Sequence, residues 1–412
     1  MLVKQYIRDF EELGFGMFVH FGLYSQLGCG EWAHKLCDIS PSDYEKLADS
    51  FCPRQGWAAE LAQTAKAAGC RYINLTTRHH DGFSLFDTHG LSSYDAPHYI
   101  GRDLIREFVD ACRDEGLIPF FYHTLLDWHH PDYKENFPAY LAYLRSSVEL
   151  LCRNYGPIGG FWFDGMWDKP GEDWQEDALY GTIRAYQPNA MIINNTGLSA
   201  QGALGHIELD SVTFERGKPQ PLNMEGAPKY VASEMCEITC DHWGYAREDL
   251  NYKGSGQLIR EIADCRRYRS NMLLNVGLMG DGSISPMDRE TFRVIGKWVH
   301  IFDEALHRPA PTGISIADKP GDFLLRDGSS YYLFCFDLPM VADENVALFV
   351  TAEYESRFRL PAKIRQIQWM DNGEPVQFSQ DSEQVTVQTV PFRYGRSLVV
   401  RIAKITTGDT DQ

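Results

Sequence analysis

The stretch YINLTTRHHDGF, residues 72–83, joins a run typical of a buried strand to a group of polar side chains. Its first six residues are rich in β-branched and aromatic types, which favour a strand. Arg78, His79, His80 and Asp81 follow directly, and burying such groups without partners is costly. The strand is therefore predicted to end at a functional site, and the fold follows from how often this arrangement recurs.

Eight apolar runs of this kind occur in the first three quarters of the chain. They are FGMFVHFG (15–22), YINLTT (72–77), IPFFYHTLL (118–126), GGFWFDG (159–165), AMIINNT (190–196), SVTFE (211–215), KYVASEM (229–235) and NMLLNVG (271–277). Segments with helical periodicity separate them, and one such apolar stripe is Leu104, Ile105, Phe108, Val109 and Cys112. Apolar strands that alternate with amphipathic helices predict a closed (β/α)8 barrel, with a doubly wound open sheet as the alternative.

The pattern changes after Pro309 and Pro311. The runs that follow are FLLRDGSSYYLFCF (323–336), NVALFVTAEY (345–354), RFRLPAKIRQIQWM (357–370), QVTVQTV (384–390) and SLVVRIA (397–403). Turns such as DGSS and DNGEP join them, as expected for antiparallel strands. The sequence therefore predicts a barrel domain over residues 1–310 and a separate all-β domain over residues 311–412.

Composition limits the class of partner. The net charge is −18 and the pI is about 5.1, which opposes binding to nucleic acid or to an anionic membrane surface. The ten cysteines are scattered, several of them in apolar helical stripes, so we predict that they are reduced. The first residues have no apolar signal segment, and no run of about 18 apolar residues occurs. We therefore predict a cytoplasmic protein.

Polar and aromatic residues collect at the predicted strand ends, where barrels of this type carry their chemistry. They are His20 (strand one), His79 and His80 (two), Tyr122 and His123 (three), Trp162 and Asp164 (four), Glu234 (seven) and Asn275 (eight). Carboxylates, imidazoles and aromatic faces without many basic groups suit a neutral, polyhydroxylated ligand. The tryptophans that are candidates for stacking on a sugar are Trp32, Trp128, Trp162 and Trp243; each is equally compatible with a place in the core.

Cleavage of a glycosidic bond needs one carboxylate at the anomeric carbon and one carboxylic acid at the leaving oxygen. Asp164 suits the first role. Glu234 is our choice for the second, and spacing leaves four rivals open, namely Glu237, Asp241, Glu215 and Glu31.

A zinc site is the competing chemistry, and its candidate ligands are His79, His80, His123, His129 and His130. It is disfavoured because adjacent histidines in an extended chain point to opposite sides and no H-E-x-x-H motif occurs. We predict neither a metal nor a cofactor.

Six segments, in order, resemble the α-L-fucosidases of glycoside hydrolase family 29: FGMFVHFGLYS (15–25), EWAHK (31–35), LTTRHHDGFSLFDT (75–88), FWFDG (161–165), DHWGY (241–245) and NMLLNVGLMGDGSISP (271–286). The resemblance implies a retaining exo-fucosidase with a (β/α)8-like barrel, a C-terminal β-sandwich and no metal. It places Asp164 as the nucleophile and Glu234 as the acid/base. It also implies a fucose pocket lined by His20, Glu31, Trp32, His79, His80, Tyr122 and Trp162.

The expected substrate is a fucosylated oligosaccharide or glycoside, and a homo-oligomer is compatible with the sequence. Two alternatives remain open. One is a related barrel glycosidase acting on another sugar such as galactose, which an apolar patch from Trp32 or Trp243 against the fucose methyl group would disfavour. The other is a carbohydrate-binding protein that has lost its catalytic acid.

Overall fold

Eight parallel strands close a barrel in chain order in the computed structural model, which describes residues 3–225, 227–317, 319–341 and 354–408. The strands are β1 (Phe15–His20), β2 (Tyr72–Arg78), β3 (Ile118–Thr124), β4 (Gly160–Asp164), β5 (Met191–Asn194), β6 (Ser211–Glu215), β7 (Ala232–Ile238) and β8 (Asn271–Gly277). Because β1 pairs with both β2 and β8, the sheet has no free edge. Each apolar run overlaps one barrel strand, so the predicted barrel is confirmed.

Helices lie before, between and after these strands. They are α1 (Gln5–Glu11), α2 (Tyr24–Leu27), α3 (Ala33–Leu36), α4 (Pro41–Glu45), α5 (Leu47–Ser50), α6 (Trp57–Ala67), α7 (Ala96–Ile100), α8 (Leu104–Asp114), α9 (Asp132–Glu135), α10 (Phe137–Asn154), α11 (Glu176–Tyr186), α12 (Ser255–Arg267) and α13 (Pro286–Leu306), with a 3₁₀ turn at Met166–Asp168. Helix α8 begins where the carboxylate of Asp103 accepts the backbone N–H of Arg106 at 2.9 Å. Its apolar stripe is buried, as the periodicity predicts.

The C-terminal strands form two antiparallel sheets. They are β9 (Ala310–Pro311), β10 (Phe323–Asp327), β11 (Ser330–Cys335), β12 (Glu355–Arg359), β13 (Ile364–Trp369), β14 (Phe378–Asp381), β15 (Gln384–Gln388) and β16 (Arg401–Thr407). One sheet has the order β13-β16-β11-β10-β9 and the other β12-β15-β14. Leu333 and Ile405 from the first and Phe358 and Val385 from the second share one core, so this region is a β-sandwich. Residues 345–353 of the predicted strand NVALFVTAEY lie outside the described part of the chain.

The chain divides into two compact units, one of residues 1–253 with 270–293 and the other of residues 254–269 with 294–412. The boundary near residue 310 stays a prediction. All ten cysteines are free thiols. None of the helices in the described ranges is both long and apolar enough to cross a bilayer. The expected cytoplasmic location and homo-oligomer also stay predictions.

Aromatic side chains fill the lower part of the barrel. Phe18, Tyr72, Phe120 and Trp162 belong to one buried cluster that points inward from β1 to β4. The absence of a side chain at Gly16 makes room for one of them, since a Cβ there would lie 2.4 Å from the ring of Tyr72. This packed layer closes the barrel from below and leaves a cavity above it.

Candidate active site

A cavity of about 400 Å³ opens at the carboxyl ends of the barrel strands. Nine of the predicted site residues line it, namely His20, Glu31, Trp32, His79, His80, Tyr122, Trp162, Asp164 and Trp243. Trp167, Asn195, Glu215 and the loop 196–199 complete much of the wall. The volume is within the range of small-molecule sites, about 300–1,000 Å³.

Asp164 is the last residue of β4, and three donors fix its carboxylate. Oδ2 accepts a hydrogen bond from the Tyr122 hydroxyl at 3.0 Å. Oδ1 accepts from Trp167 Nε1 at 3.0 Å and from Asn195 Nδ2 at 3.2 Å. The group is half-buried, so it is held in one orientation while remaining open to a ligand.

Glu215 ends β6 and shares a partner with Asp164. Asn195 Nδ2 donates to Glu215 Oε2 at 2.7 Å, and Asn195 Oδ1 accepts from the backbone N–H of Gly197 at 3.1 Å, which fixes the orientation of the amide. The two carboxylate oxygens bonded to this one nitrogen are therefore less than about 6 Å apart, a distance compatible with the carboxyl separation of retaining glycosidases, about 5–5.5 Å. Burial raises the pKa of Glu215, and the neighbouring charge of Asp164 adds to the effect.

The structure places Glu234 below the cavity, which corrects its choice as the acid/base. It is the third residue of β7 and fully buried, and it is absent from the described residues that line the cavity. Its carboxylate accepts hydrogen bonds from Trp162 Nε1 (2.9 Å) and from the Tyr72 hydroxyl. The strand begins and ends three residues later than the run KYVASEM, so Glu234 lies near its start instead of at its end.

The four alternatives to Glu234 differ in whether they line the cavity. Glu31 and Glu215 line the cavity. Glu237 lies on the other face of β7, where Lys253 bonds to it, and Asp241 is exposed and accepts from Asn251 Nδ2 at 2.9 Å. Only the first two of these four can therefore reach a ligand in this cavity.

Three neutral imidazoles face the cavity. Burial lowers the pKa of His20 to about 4 and also lowers the pKa values of His79 and His80. His80 Nε2 lies 3.5 Å from Asp164 Oδ2, which is too long for a hydrogen bond, and with a neutral ring the two do not form an ion pair. His79 and His80 both line the cavity because β2 ends at Arg78, so the expectation that they point to opposite sides was wrong.

The tautomer of His20 follows from its partner. Asn275 Nδ2 donates to the carbonyl oxygen of Trp243 at 2.7 Å, so Asn275 Oδ1, which is 2.7 Å from His20 Nδ1, must accept from it. His20 therefore carries its proton on Nδ1. Its Nε2 is left as an acceptor for a ligand hydroxyl.

Aromatic rings form the floor and the rim of the cavity. On the floor, Phe18 contacts Trp162 and Trp243 with ring centroids 5.1 and 5.8 Å apart. At the rim, Trp32 stacks on Trp167 at 6.2 Å with an interplanar angle of 20°. Sequence reasoning missed Trp167 and Asn195, although Trp167 lies shortly after the end of β4 and Asn195 directly follows β5.

Among the residues that the structure describes, no group of three or more His, Cys, Asp or Glu side chains is arranged so that it could hold a metal ion. His123 turns away from the cavity, since its ring nitrogens contact Thr77 Oγ1 (2.8 Å), Arg78 Nη2 (3.0 Å) and Ser147 Oγ (3.2 Å).

A carboxyl pair of this separation at the mouth of a (β/α)8 barrel, surrounded by imidazoles and aromatic rings, defines a glycoside hydrolase. The chain belongs to the α-L-fucosidase family, because the sequence model described as Alpha-L-fucosidase matches residues 3–304. The resemblance noted from the sequence is thereby confirmed.

Individual relatives agree with this placement. The mouse tissue alpha-L-fucosidase is 29% identical over 334 residues, which cover 73% of this chain and 71% of that protein. Among solved structures, alpha-L-fucosidase isoenzyme 1 from Paenibacillus thiaminolyticus superimposes with a TM-score of 0.84 at 30% identity, covering 98% of this chain and 99% of the other. A Bacteroides thetaiotaomicron alpha-L-fucosidase, trapped as a covalent intermediate, shares the fold with a TM-score of 0.81 at 21% identity over 99% and 97% of the two chains.

Proposed function

We propose that this protein removes terminal α-L-fucose from oligosaccharides and other glycosides by double displacement, with retention of the anomeric configuration. The observation that carries the proposal is the pair Asp164 and Glu215, bridged by Asn195 inside the cavity of an α-L-fucosidase-family barrel. The steps require two carboxyl groups with different protonation states.

In the first step Asp164 Oδ attacks the anomeric carbon while Glu215 donates its proton to the departing glycosidic oxygen. The products are the free aglycone and a β-fucosyl ester of Asp164. In the second step Glu215 takes a proton from water, the water oxygen attacks the same carbon, and the ester bond breaks. Two inversions give α-L-fucose and restore both carboxyl groups.

Glu215 suits the acid/base role better than Glu31. Glu31 is buried and its Oε2 accepts the backbone N–H of Gly244 at 2.7 Å, so it is placed to hold a sugar hydroxyl at the enclosed end. Glu215 is only half-buried, and the leaving group must depart toward solvent. Burial raises the pKa of both Glu215 and Glu31, so position in the cavity, and not protonation, distinguishes the two groups.

Fucose is preferred over galactose in this proposal because of the apolar floor. Fucose carries a methyl group where galactose carries a hydroxymethyl group. The rings of Phe18 and Trp243 offer that methyl group an apolar contact, whereas a hydroxyl placed there would lose its hydrogen bonds to water. A carbohydrate-binding protein without a catalytic acid is disfavoured because Glu215 is present.

The test measures nitrophenol release from 4-nitrophenyl α-L-fucoside, with the α-L-galactoside as the matched substrate. We expect Glu215→Gly to regain activity with azide and to form α-fucosyl azide, and Asp164→Gly with azide to form the β anomer. Azide rescue of Glu31→Gly in place of Glu215→Gly would reassign the acid/base. A wild-type protein active on neither substrate would overturn the proposed function.

A further inference from the structure

The proposed reaction gives no role to the buried carboxyl group of Glu234. Glu234 is enclosed below the cavity floor, where burial raises its pKa to about 7. A carboxyl group in such a place is costly unless its oxygens are hydrogen-bonded. Both are, and the two donors come from different strands, Trp162 on β4 and Tyr72 on β2.

The lower of these two donors is rigidly held. The ring of Tyr72 fills the space left by Gly16 and contacts Phe10 and Phe120, with ring centroids 5.9 and 5.1 Å away. Tyr72 is fully buried and cannot change its position without a shift of this packed layer. The carboxyl group of Glu234 is therefore anchored from below.

The upper donor belongs to the active site. Trp162 is part of the cavity floor, and its ring stacks on Tyr122 with centroids 5.9 Å apart and an interplanar angle of 20°. The Tyr122 hydroxyl in turn donates to Asp164 Oδ2 at 3.0 Å. A continuous set of contacts thus runs from Glu234 through two aromatic rings to the proposed nucleophile.

The chemistry of the indole group makes this anchor specific. An indole N–H can only donate, so Trp162 has no second way to satisfy Nε1 if the residue below cannot accept. A carboxyl group has an accepting oxygen in either protonation state, and an amide also has one. An apolar side chain has none, and it would leave the indole free to tilt out of its place under the sugar.

We propose that Glu234 is a positioning residue for the fucosidase reaction, which holds the indole of Trp162 as a fixed floor and, through the stacked ring of Tyr122, keeps Asp164 aimed at the anomeric carbon. This inference rests on the proposed function. It assigns no proton transfer to Glu234.

The kinetic test compares two substitutions at one position. We expect Glu234→Gln, whose amide oxygen still accepts from Trp162, to keep kcat/KM within about threefold of wild type. Glu234→Met, of similar length but without an acceptor, should lower kcat/KM by about tenfold or more, because the buried indole N–H of Trp162 is then left without a partner. Glu234→Asp, which is one methylene shorter, serves if the methionine variant does not fold.

A double-mutant cycle separates positioning from general stability. In a Trp162→Phe background the N–H is already missing, so Glu234→Met should cause no further loss of kcat/KM. Asp288→Leu is the matched control, since Asp288 is also buried and accepts from the hydroxyls of Thr239 (2.7 Å) and Ser285 (2.6 Å) outside the cavity. We expect it to lower the melting temperature and leave kcat/KM unchanged.

One readout is independent of catalysis. Hydrogen exchange of the Trp162 indole proton, followed by NMR in tryptophan-labelled protein, should be slow in wild type and in Glu234→Gln, and at least tenfold faster in Glu234→Met. Equal exchange in all three would overturn the inference. So would a glutamine variant as inactive as the methionine variant and rescued by azide, since Glu234 would then be the acid itself. A wild-type protein inactive on fucosides would refute the proposed function, while slow indole exchange would still support the anchor.

Discussion

Replacement of Gly277 by alanine should displace the loop that carries Trp243. A Cβ at this last residue of β8 would lie 2.3 Å from Tyr245 N, 2.5 Å from Gly244 C and 2.9 Å from Trp243 O. All three are backbone atoms, so no side-chain rotation relieves the overlap. Carbon contacts are favourable at about 3.5–4.0 Å, and the loop must therefore move by about 1 Å.

A shift of this size would break two of the hydrogen bonds that hold the loop. They run from Gly244 N to Glu31 Oε2 and from Asn275 Nδ2 to the carbonyl of Trp243, each 2.7 Å long. Each buried loss costs about 1–3 kcal/mol, so we expect about 2–6 kcal/mol less stability and a KM for aryl fucoside raised about tenfold or more.

The assay combines thermal melting with steady-state kinetics, and Gly181→Ala is its control. Gly181 is exposed within α11, and a Cβ there meets nothing within 4 Å. This alanine should stabilise the helix by about 1 kcal/mol and leave KM unchanged. A Gly277→Ala protein with the melting temperature and KM of wild type would refute the reasoning.

Three further predictions test other parts of the site. Burial raises the pKa of Glu234 from 4.5 to about 7, so the folded state binds this proton more tightly than the unfolded state and the contribution of Glu234 to stability falls as pH rises through this window. The stability of Glu234→Gln relative to wild type should therefore increase by up to about 3 kcal/mol between pH 4 and pH 8. The same difference in denaturation midpoint between the two proteins at both pH values would contradict this. Asn275→Leu removes the acceptor of His20 Nδ1, so the imidazole ¹⁵N shifts should report a changed tautomer and KM should rise about tenfold; unchanged shifts would remove Asn275 from this role. Asp164→Ala should lower kcat by about ten-thousand-fold or more on nitrophenyl fucoside, and a near-normal rate would eliminate it as the nucleophile.

The barrel was predictable because its strands are buried on both faces. Such strands read as short, nearly continuous apolar runs, and each of the eight runs overlaps one strand. The positions of Asp164 and His20 followed directly, since each ends a strand within two residues of the end of its apolar run.

The errors came from strand ends that the pattern does not fix. The apolar run at β7 begins and ends three residues before the strand itself. The prediction therefore placed Glu234 at the mouth of the barrel, whereas it lies near the bottom. His79 and His80 follow the end of β2, where the alternation of a strand no longer applies. Glu215 was found only as a rival because its pairing with Asp164 depends on Asn195, a contact between residues 31 positions apart in the chain.

The amide of Asn195 also bears on the energy of the catalytic cycle. In the resting state of the proposed mechanism Asp164 carries the negative charge and Glu215 the proton; in the ester intermediate Asp164 is neutral and Glu215 is charged. The pair therefore holds a single negative charge throughout, and only its location alternates. Because Asn195 presents one N–H to each side, whichever carboxylate bears the charge already has a donor without any movement of the amide, so the reorganisation energy of this part of the site stays small.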